Sequence, residues 1–215
     1  MLTQEQRDEL ESKSESQVQQ DLFVLHELDF KQGGYFVEFG AANGIDLSNT
    51  YLLEKELGWT GILAEPAKVW AEELANNRDC HLDFDCVWSK TGEVLEFNEA
   101  TAAELSTVSQ FSDGDEHAEA RANGNTYNVN TISLVDLLDK YNAPKEIDYL
   151  SIDTEGSEFE ILNAFDFDKY KIKIITCEHN YTPMRDQIMT LLLSKGYVRK
   201  YAEISRFDDW YVLND

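Results

Sequence analysis

Cysteine, basic side chains and long apolar runs are what this chain of 215 residues is short of. Its three cysteines, Cys80, Cys86 and Cys177, form no C-x-x-C pair and leave an odd count. That argues against both a disulfide framework and a zinc site, and reduced cytosolic thiols are the simplest account. Lysine and arginine number 18 against 42 acidic residues, a formal charge of −24. Such a field repels nucleic acid backbones and anionic membrane surfaces, so neither is an expected partner. The acids are scattered rather than gathered in one block, which reads as a solubilising surface and not as an acidic tail. No apolar run approaches transmembrane length, and Met1 to Gln20 is polar and acidic where a secretory leader would carry an apolar core. A cytoplasmic protein is the expectation.

What is present is enough for one good core: 42% of residues are hydrophobic and 12% aromatic. No repeat or linker splits the chain, so the expected organisation is an N-terminal helical arm over 1–30 and a single domain over 31–215. Residues 3–30 read as helix, with Val18, Leu22, Leu25 and Leu28 on one face and Gly33-Gly34 closing the segment. Strands are predicted at 35–39, 60–65, 81–88, 92–98, 147–153, 171–178, 197–204 and 207–213. Helices are predicted at 48–57, 67–77, 157–165 and 183–194, with strand-end plus helix over 131–141. The segment 99–130 is irregular and long, which suggests a mobile loop or lid. This alternation gives an α/β fold: a parallel sheet with helices on both faces and an antiparallel strand near one edge.

The most informative stretch is Tyr35-Phe36-Val37-Glu38-Phe39-Gly40-Ala41-Ala42-Asn43-Gly44, an apolar strand ending in an acid and a tight turn of small residues. Read as a packed corner it needs no ligand. Read as a site, its small residues let a cofactor lie against backbone N–H groups, at the strand ends where open α/β sheets bind ligands. The flanking carboxylates Glu38 and Asp46 would repel a pyrophosphate, whereas S-adenosylmethionine, with a sulfonium, an ammonium and one carboxylate, suits an acidic rim. Right-handed crossovers bring Glu38, Glu65, Asp85, Asp153 and Glu178 to the same rim. Glu65 is the expected ribose acceptor, and Asp85, with Cys86 or Val87 supplying backbone contacts, the expected adenine partner. Asp153 closes an apolar strand and should project beside the cofactor. Asp153 with Glu178, His179 and Asn180 could ligate Mg²⁺ or a similar ion, or His179 could act as a base. Glu158 reads as an acid favouring a helix start.

Together the segments Ser16-Gln17-Val18-Gln19-Gln20-Asp21-Leu22, Phe36-Val37-Glu38-Phe39-Gly40-Ala41, Ile62-Leu63-Ala64-Glu65-Pro66, Val87-Trp88-Ser89 with Gly92, Thr131-Ile132-Ser133-Leu134 with Asp136, and Ile152-Asp153-Thr154-Glu155-Gly156-Ser157-Glu158 resemble the FkbM-type methyltransferases. The resemblance implies a Rossmann-like seven-stranded class I sheet of order 3-2-1-4-5-7-6 and O-methylation of a hydroxyl on a sugar or other small molecule. It implies cofactor contacts at Glu38, Gly40, Gly44, Glu65 and Asp85; with the turn residues Ala41 and Asn43 and with Cys86 these make the expected S-adenosylmethionine set. Asp153, Glu178 and His179 are the expected catalytic residues, and Asp153, Glu178 and Asn180 the expected ligands if a divalent cation is used. Ala42 stands where a glycine is common. An NAD-dependent oxidoreductase and a non-catalytic interaction module with the same fold are the alternatives.

Overall fold

The computed structural model describes residues 3–115 and 117–214; residues 1 and 2 of the expected arm and 116 and 215 of the expected domain lie outside them. Helix α1 (Gln4–Glu11) is capped by Thr3, whose side chain accepts from Gln6 N–H while the Gln6 side chain accepts from Thr3 N–H. Helix α2 (Gln20–Glu27) buries Phe23, Val24 and Leu25. The single helix predicted for 3–30 is thus two. Between them serines bond locally instead of propagating helix: Ser12 Oγ donates to Glu9 C=O, Ser14 Oγ to Asp21 and Ser16 Oγ to Gln20. Gln19 then turns left-handed, with φ 65°.

The chain continues through β1 (Tyr35–Phe39), α3 (Tyr51–Leu57), β2 (Thr60–Ala64), α4 (Ala71–Asn77) and β3 (His81–Asp83). It then runs through β4 (Cys86–Trp88), β5 (Val94–Glu99), β6 (Thr107–Val108), α5 (Ala118–Arg121), β7 (Asn125–Ser133) and α6 (Leu134–Lys140). Last come β8 (Glu146–Ile152), α7 (Glu158–Ala164), β9 (Lys171–Glu178), α8 (Met184–Ser194), β10 (Tyr197–Lys200) and β11 (Asp208–Leu213).

The main sheet has seven strands in the order β3-β2-β1-β8-β9-β11-β10. Numbered within the sheet, that is 3-2-1-4-5-7-6. The first five strands are parallel, and β11 runs antiparallel to both β9 and β10. Alternate residues of β1 enter opposite layers, as a period of two requires. Val37 and Phe39 join α6, α7 and α8 through Leu137, Leu162 and Ile188; Phe36 joins α2, α3 and α4 through Val24, Leu53 and Leu74. Helix α2 therefore belongs to the core packing of the domain.

A second, four-stranded sheet, β4-β7-β5-β6, was not foreseen. The strand expected over 81–88 divides at an Asp turn in which Asp83 Oδ1 accepts from Asp85 N–H at 3.0 Å. Before that turn the chain pairs with β2, and after it with β7. The expected lid over 99–130 is a built wall instead. Asn125–Ser133 is a nine-residue strand, and the part before it is tied down by Arg121, whose side chain is fully buried. Its guanidinium reaches Asp115 in bidentate fashion at 2.8 and 3.0 Å, Glu155 at 2.6 Å and Leu105 C=O at 2.7 Å.

Candidate active site

The carboxyl ends of β1, β2, β8 and β9 surround a cavity of about 400 Å³. Of the residues singled out from sequence, Glu38, Gly40, Ala41, Asn43, Glu65, Cys86, Asp153, Glu178 and Asn180 line it. Three others are turned elsewhere. Gly44 sits behind the turn, against Arg78 and Leu74. Asp85 lies past the end of β3, beside a separate groove, with Oδ2 3.9 Å from Lys140 Nζ. His179 is buried away from the cavity, its Nδ1 accepting from Tyr181 N–H at 3.0 Å and its Nε2 3.8 Å from Asp209. Burial lowers its pKa, keeping the ring neutral.

The glycine turn is shaped by its own chain more than by any ligand. A Cβ on Gly40 would stand 1.9 Å from Asp153 C=O, and one on Gly44 2.7 Å from both Arg78 Cγ and Leu74 Cδ1; both residues also have positive φ, 73° and 82°. Three of the turn's five N–H groups, expected to face a cofactor, are engaged inside the fold. Gly40 N–H donates to Ala64 C=O at 3.1 Å, Gly44 N–H to Ala41 C=O at 2.8 Å and Ala42 N–H to Glu65 Oε2 at 2.9 Å. Ala42 holds φ 45°, a left-handed conformation without glycine's freedom. Asn43 folds on itself, its Oδ1 accepting from Ile45 and Asp46 N–H and its Nδ2 donating to Asp46.

Glu38 is buried at the start of α3. It accepts from Asn49 N–H at 2.7 Å, Thr50 Oγ1 at 2.5 Å and Ser48 Oγ at 3.1 Å. Behind it lies Arg78, fully buried, which sequence reading passed over. Arg78 Nη1 donates to Gly44 C=O and Ser48 Oγ, Nη2 to Thr50 Oγ1 and Nε to Glu54. Arg78 Nη1 stands 3.8 Å from Glu38 Oε2, so the acid is neutralised through two hydroxyl relays. The negative turn inferred from sequence is therefore balanced from beneath.

Glu65 has its carboxylate held by Ala42 N–H and by Ala67 N–H at 2.8 Å. Burial nevertheless pushes its pKa up to about 7. On the far wall, Asp153, Glu155 and Glu178 each present an oxygen within 4.8 Å of the others. Asp153 and Glu178 stand side by side in this cluster, and burial followed by their neighbours' negative charge holds both pKa values well above the carboxylate range. Glu155, raised to about 7 by burial despite Arg121, sits at φ 58° and also accepts from Asn180 Nδ2 at 3.2 Å. Asn180 thus serves Glu155, and Glu155 completes the acid cluster. Glu158 is wholly structural, accepting from Thr154 N–H and Gly156 N–H within its own loop. The irregular segment adds His117 to the cavity wall, and 68–70 adds Trp70. Neither stood out in the sequence, because the contacts that bring them in are long-range.

The FkbM methyltransferase domain matches residues 38–199, well over half of the chain. No curated protein matches. Among solved structures, the chain is similar to precorrin-6y C5,15-methyltransferase from Geobacter metallireducens GS-15, at 11% identity over 89% of this chain and 86% of that one, TM-score 0.46. It is similar also to the O-methyltransferase from Bacillus cereus in complex with SAH, at 10% identity over 100% of this chain and 93% of that one, TM-score 0.48. A third likeness is to the METTL16 methyltransferase domain, at 11% identity over 91% of this chain and 66% of that one, TM-score 0.49. With the glycine turn and the strand-end acids inside the matched span, this chain belongs to the FkbM family of S-adenosylmethionine-dependent methyltransferases.

Proposed function

We propose that the cavity holds S-adenosylmethionine along the ends of β1 and β2 and methylates a hydroxyl of a sugar or other small polar molecule at the acid cluster. The observation that carries this reading is the seat of Glu38. Its carboxylate takes the N–H and hydroxyl donors at the start of α3, the kind of donor set that receives a pyrophosphate in dinucleotide-binding folds. A nicotinamide dinucleotide is disfavoured there. The cavity volume falls within the range for small-molecule and cofactor sites. Glu65, fixed by two N–H groups, retains lone pairs for ribose hydroxyls.

The cofactor supplies an electrophilic methyl group on sulfur. The chain's part is to align the acceptor oxygen and to take its proton. The Asp153–Glu178 pair suits that task, because two adjacent carboxyls with raised pKa values share a proton and the ionised member is a stronger base than an exposed carboxylate. A second reading is favoured by the cluster itself. Asp153, Glu155 and Glu178 form an all-oxygen donor set that suits Mg²⁺, with Glu155 in the place expected for Asn180. A charge of −24 opposes a polyanionic acceptor.

Calorimetric titration with S-adenosylhomocysteine and with NAD tests the cofactor, and binding of NAD alone would overturn the assignment. Replacing Asp153 with Asn should lower turnover on a panel of sugar acceptors by about 10²- to 10⁴-fold while cofactor affinity stays within a few-fold. Turnover abolished by EDTA and restored by Mg²⁺ would select the metal-assisted form.

A further inference from the structure

Seven acidic residues line the cavity, and among the described residues no lysine or arginine does. At the cofactor end the chain itself answers the acids. Glu38 takes Asn49 N–H and the Thr50 and Ser48 hydroxyls, and Glu65 takes Ala42 and Ala67 N–H. The far end differs. Glu178 is only 7% exposed, yet no amide, alcohol or cationic group of the described residues meets its carboxylate or that of Asp153. Arg121 is committed to Asp115 and to Glu155 Oε2, which Asn180 Nδ2 also meets, so Glu155 Oε1 is left open.

A cation carrying N–H donors would complete this end. Burial and mutual repulsion raise the Asp153 and Glu178 carboxyls well above the usual range, and a positive charge between them relieves that repulsion. One oxygen each of Asp153, Glu155 and Glu178 lies within 4.8 Å of the others. Two acceptors about 2.8 Å from one ammonium nitrogen stand about 4.6 Å apart at tetrahedral angles. The charge of −24 draws cations toward the cavity and opposes anions. A neutral polyol brings donors without charge, whereas a protonated amine brings both.

We infer that the methyl acceptor is a vicinal amino alcohol, its protonated amine held by Glu155 and Glu178 and its neighbouring hydroxyl donating to Asp153. The gauche rotamer of such a molecule sets amine and hydroxyl on one side, as the three acids are gathered on one wall. Glu178 is then the residue that selects the acceptor, because its charge separates an amine from an uncharged group of similar size. This adds a charge requirement to hydroxyl methylation in the cavity and rests on that reading.

Matched pairs of probes test the charge requirement: ethanolamine against ethylene glycol, trans-2-aminocyclohexanol against trans-1,2-cyclohexanediol, and glucosamine against N-acetylglucosamine. Each is titrated by NMR into the full chain saturated with S-adenosylhomocysteine, in EDTA to keep divalent ions off the acids. In at least one pair the amine should bind at least tenfold more tightly than its neutral partner. Glu178→Gln should reduce that preference at least fivefold, while S-adenosylhomocysteine affinity stays within twofold and reports an intact fold. Binding by no amine, equal binding within every pair, or a preference that Glu178→Gln leaves unchanged overturns the inference. Failure of the unaltered chain to bind S-adenosylhomocysteine would overturn the cofactor assignment instead, and a methyl found on nitrogen in the products, read by mass spectrometry, would overturn the hydroxyl reading even where the amines bind.

Discussion

Two buried arginines lie under opposite walls of the cavity, and they do unequal jobs. Arg78 stands beneath the glycine turn and meets Glu38 and Glu54 with a matching set of hydroxyl and carbonyl acceptors. Burial works against ionised Glu54, yet Arg78 and the hydrogen bonds from Asp79 and Lys55 together outweigh it and lower its pKa. Arg121, beneath the acid cluster, is outnumbered. It meets Asp115 and Glu155, but Glu158, Asp153 and Glu178 crowd the same corner, and burial leaves Glu155 raised to about 7. One wall pairs its acids with Arg78 and local donors, and the other keeps an excess of acid that can hold a proton or attract a cation. A methyl donor needs the first kind of wall, and proton removal from an acceptor needs the second.

Loss of either arginine should be the most damaging change. Arg78→Met and Arg121→Met should each cost about 3–5 kcal/mol of stability, since each strands buried carboxylates, as read by urea unfolding. Of the two, Arg78→Met should also weaken S-adenosylhomocysteine binding severalfold, and Arg121→Met should leave it intact. Equal loss of binding in both would erase the distinction between the walls.

Next in size is Gly40→Ala, expected to cost about 2–4 kcal/mol, because the new Cβ meets Asp153 C=O and φ is positive. That carbonyl belongs to the acid wall, so the substitution also reports how tightly the two walls are packed together. A pH series is subtler. Asp21, Glu65, Glu155 and Asp208 are all raised by burial to about 7 from ordinary values of 3.8 or 4.5. Folding therefore favours their protonated forms, and the associated stability is present below about 4 and is lost as the pH rises through about 7. Glu54, Asp148 and Asp209 are shifted down and act in the opposite sense, but only as the pH falls through the carboxylate range. The melting temperature should fall by several degrees between pH 5.5 and pH 8, on the order of 2–4 °C per kcal/mol; a rise would contradict the excess of buried acid. The smallest effect is a gain. Ala42→Gly should stabilise the chain by about 1 kcal/mol by relieving a left-handed alanine, with S-adenosylhomocysteine affinity unchanged.

Much of the frame was legible in one dimension. The apolar strand ending at Phe39, the acid after β2 and the acid after β8 each lie where a local pattern put them, and the sheet order agrees with the one that the FkbM-like segments implied. Local readings failed where a side chain competed with the backbone. Serines at 12, 14 and 16 broke the N-terminal helix, and the Asp83 turn divided one expected strand between two sheets. That same division carried Asp85 out of the cavity. Glu178 closes β9 and His179 follows it, and because successive side chains along an extended chain point to opposite faces, only one of the pair could face the cavity. The wall over 99–124 could not be read because Arg121 reaches Glu155 across 34 positions of sequence.

Fold class, the rim of strand-end acids and the small residues of the turn follow from local periodicity and residue size, and the linear chain already carries them. The distribution of charge around that rim depends on packing between distant segments. The arginines that meet Glu38 and Glu155, and the packing that raises Asp153, Glu65 and Glu178, come from distant segments, and the effect of a charge depends on what is packed against it.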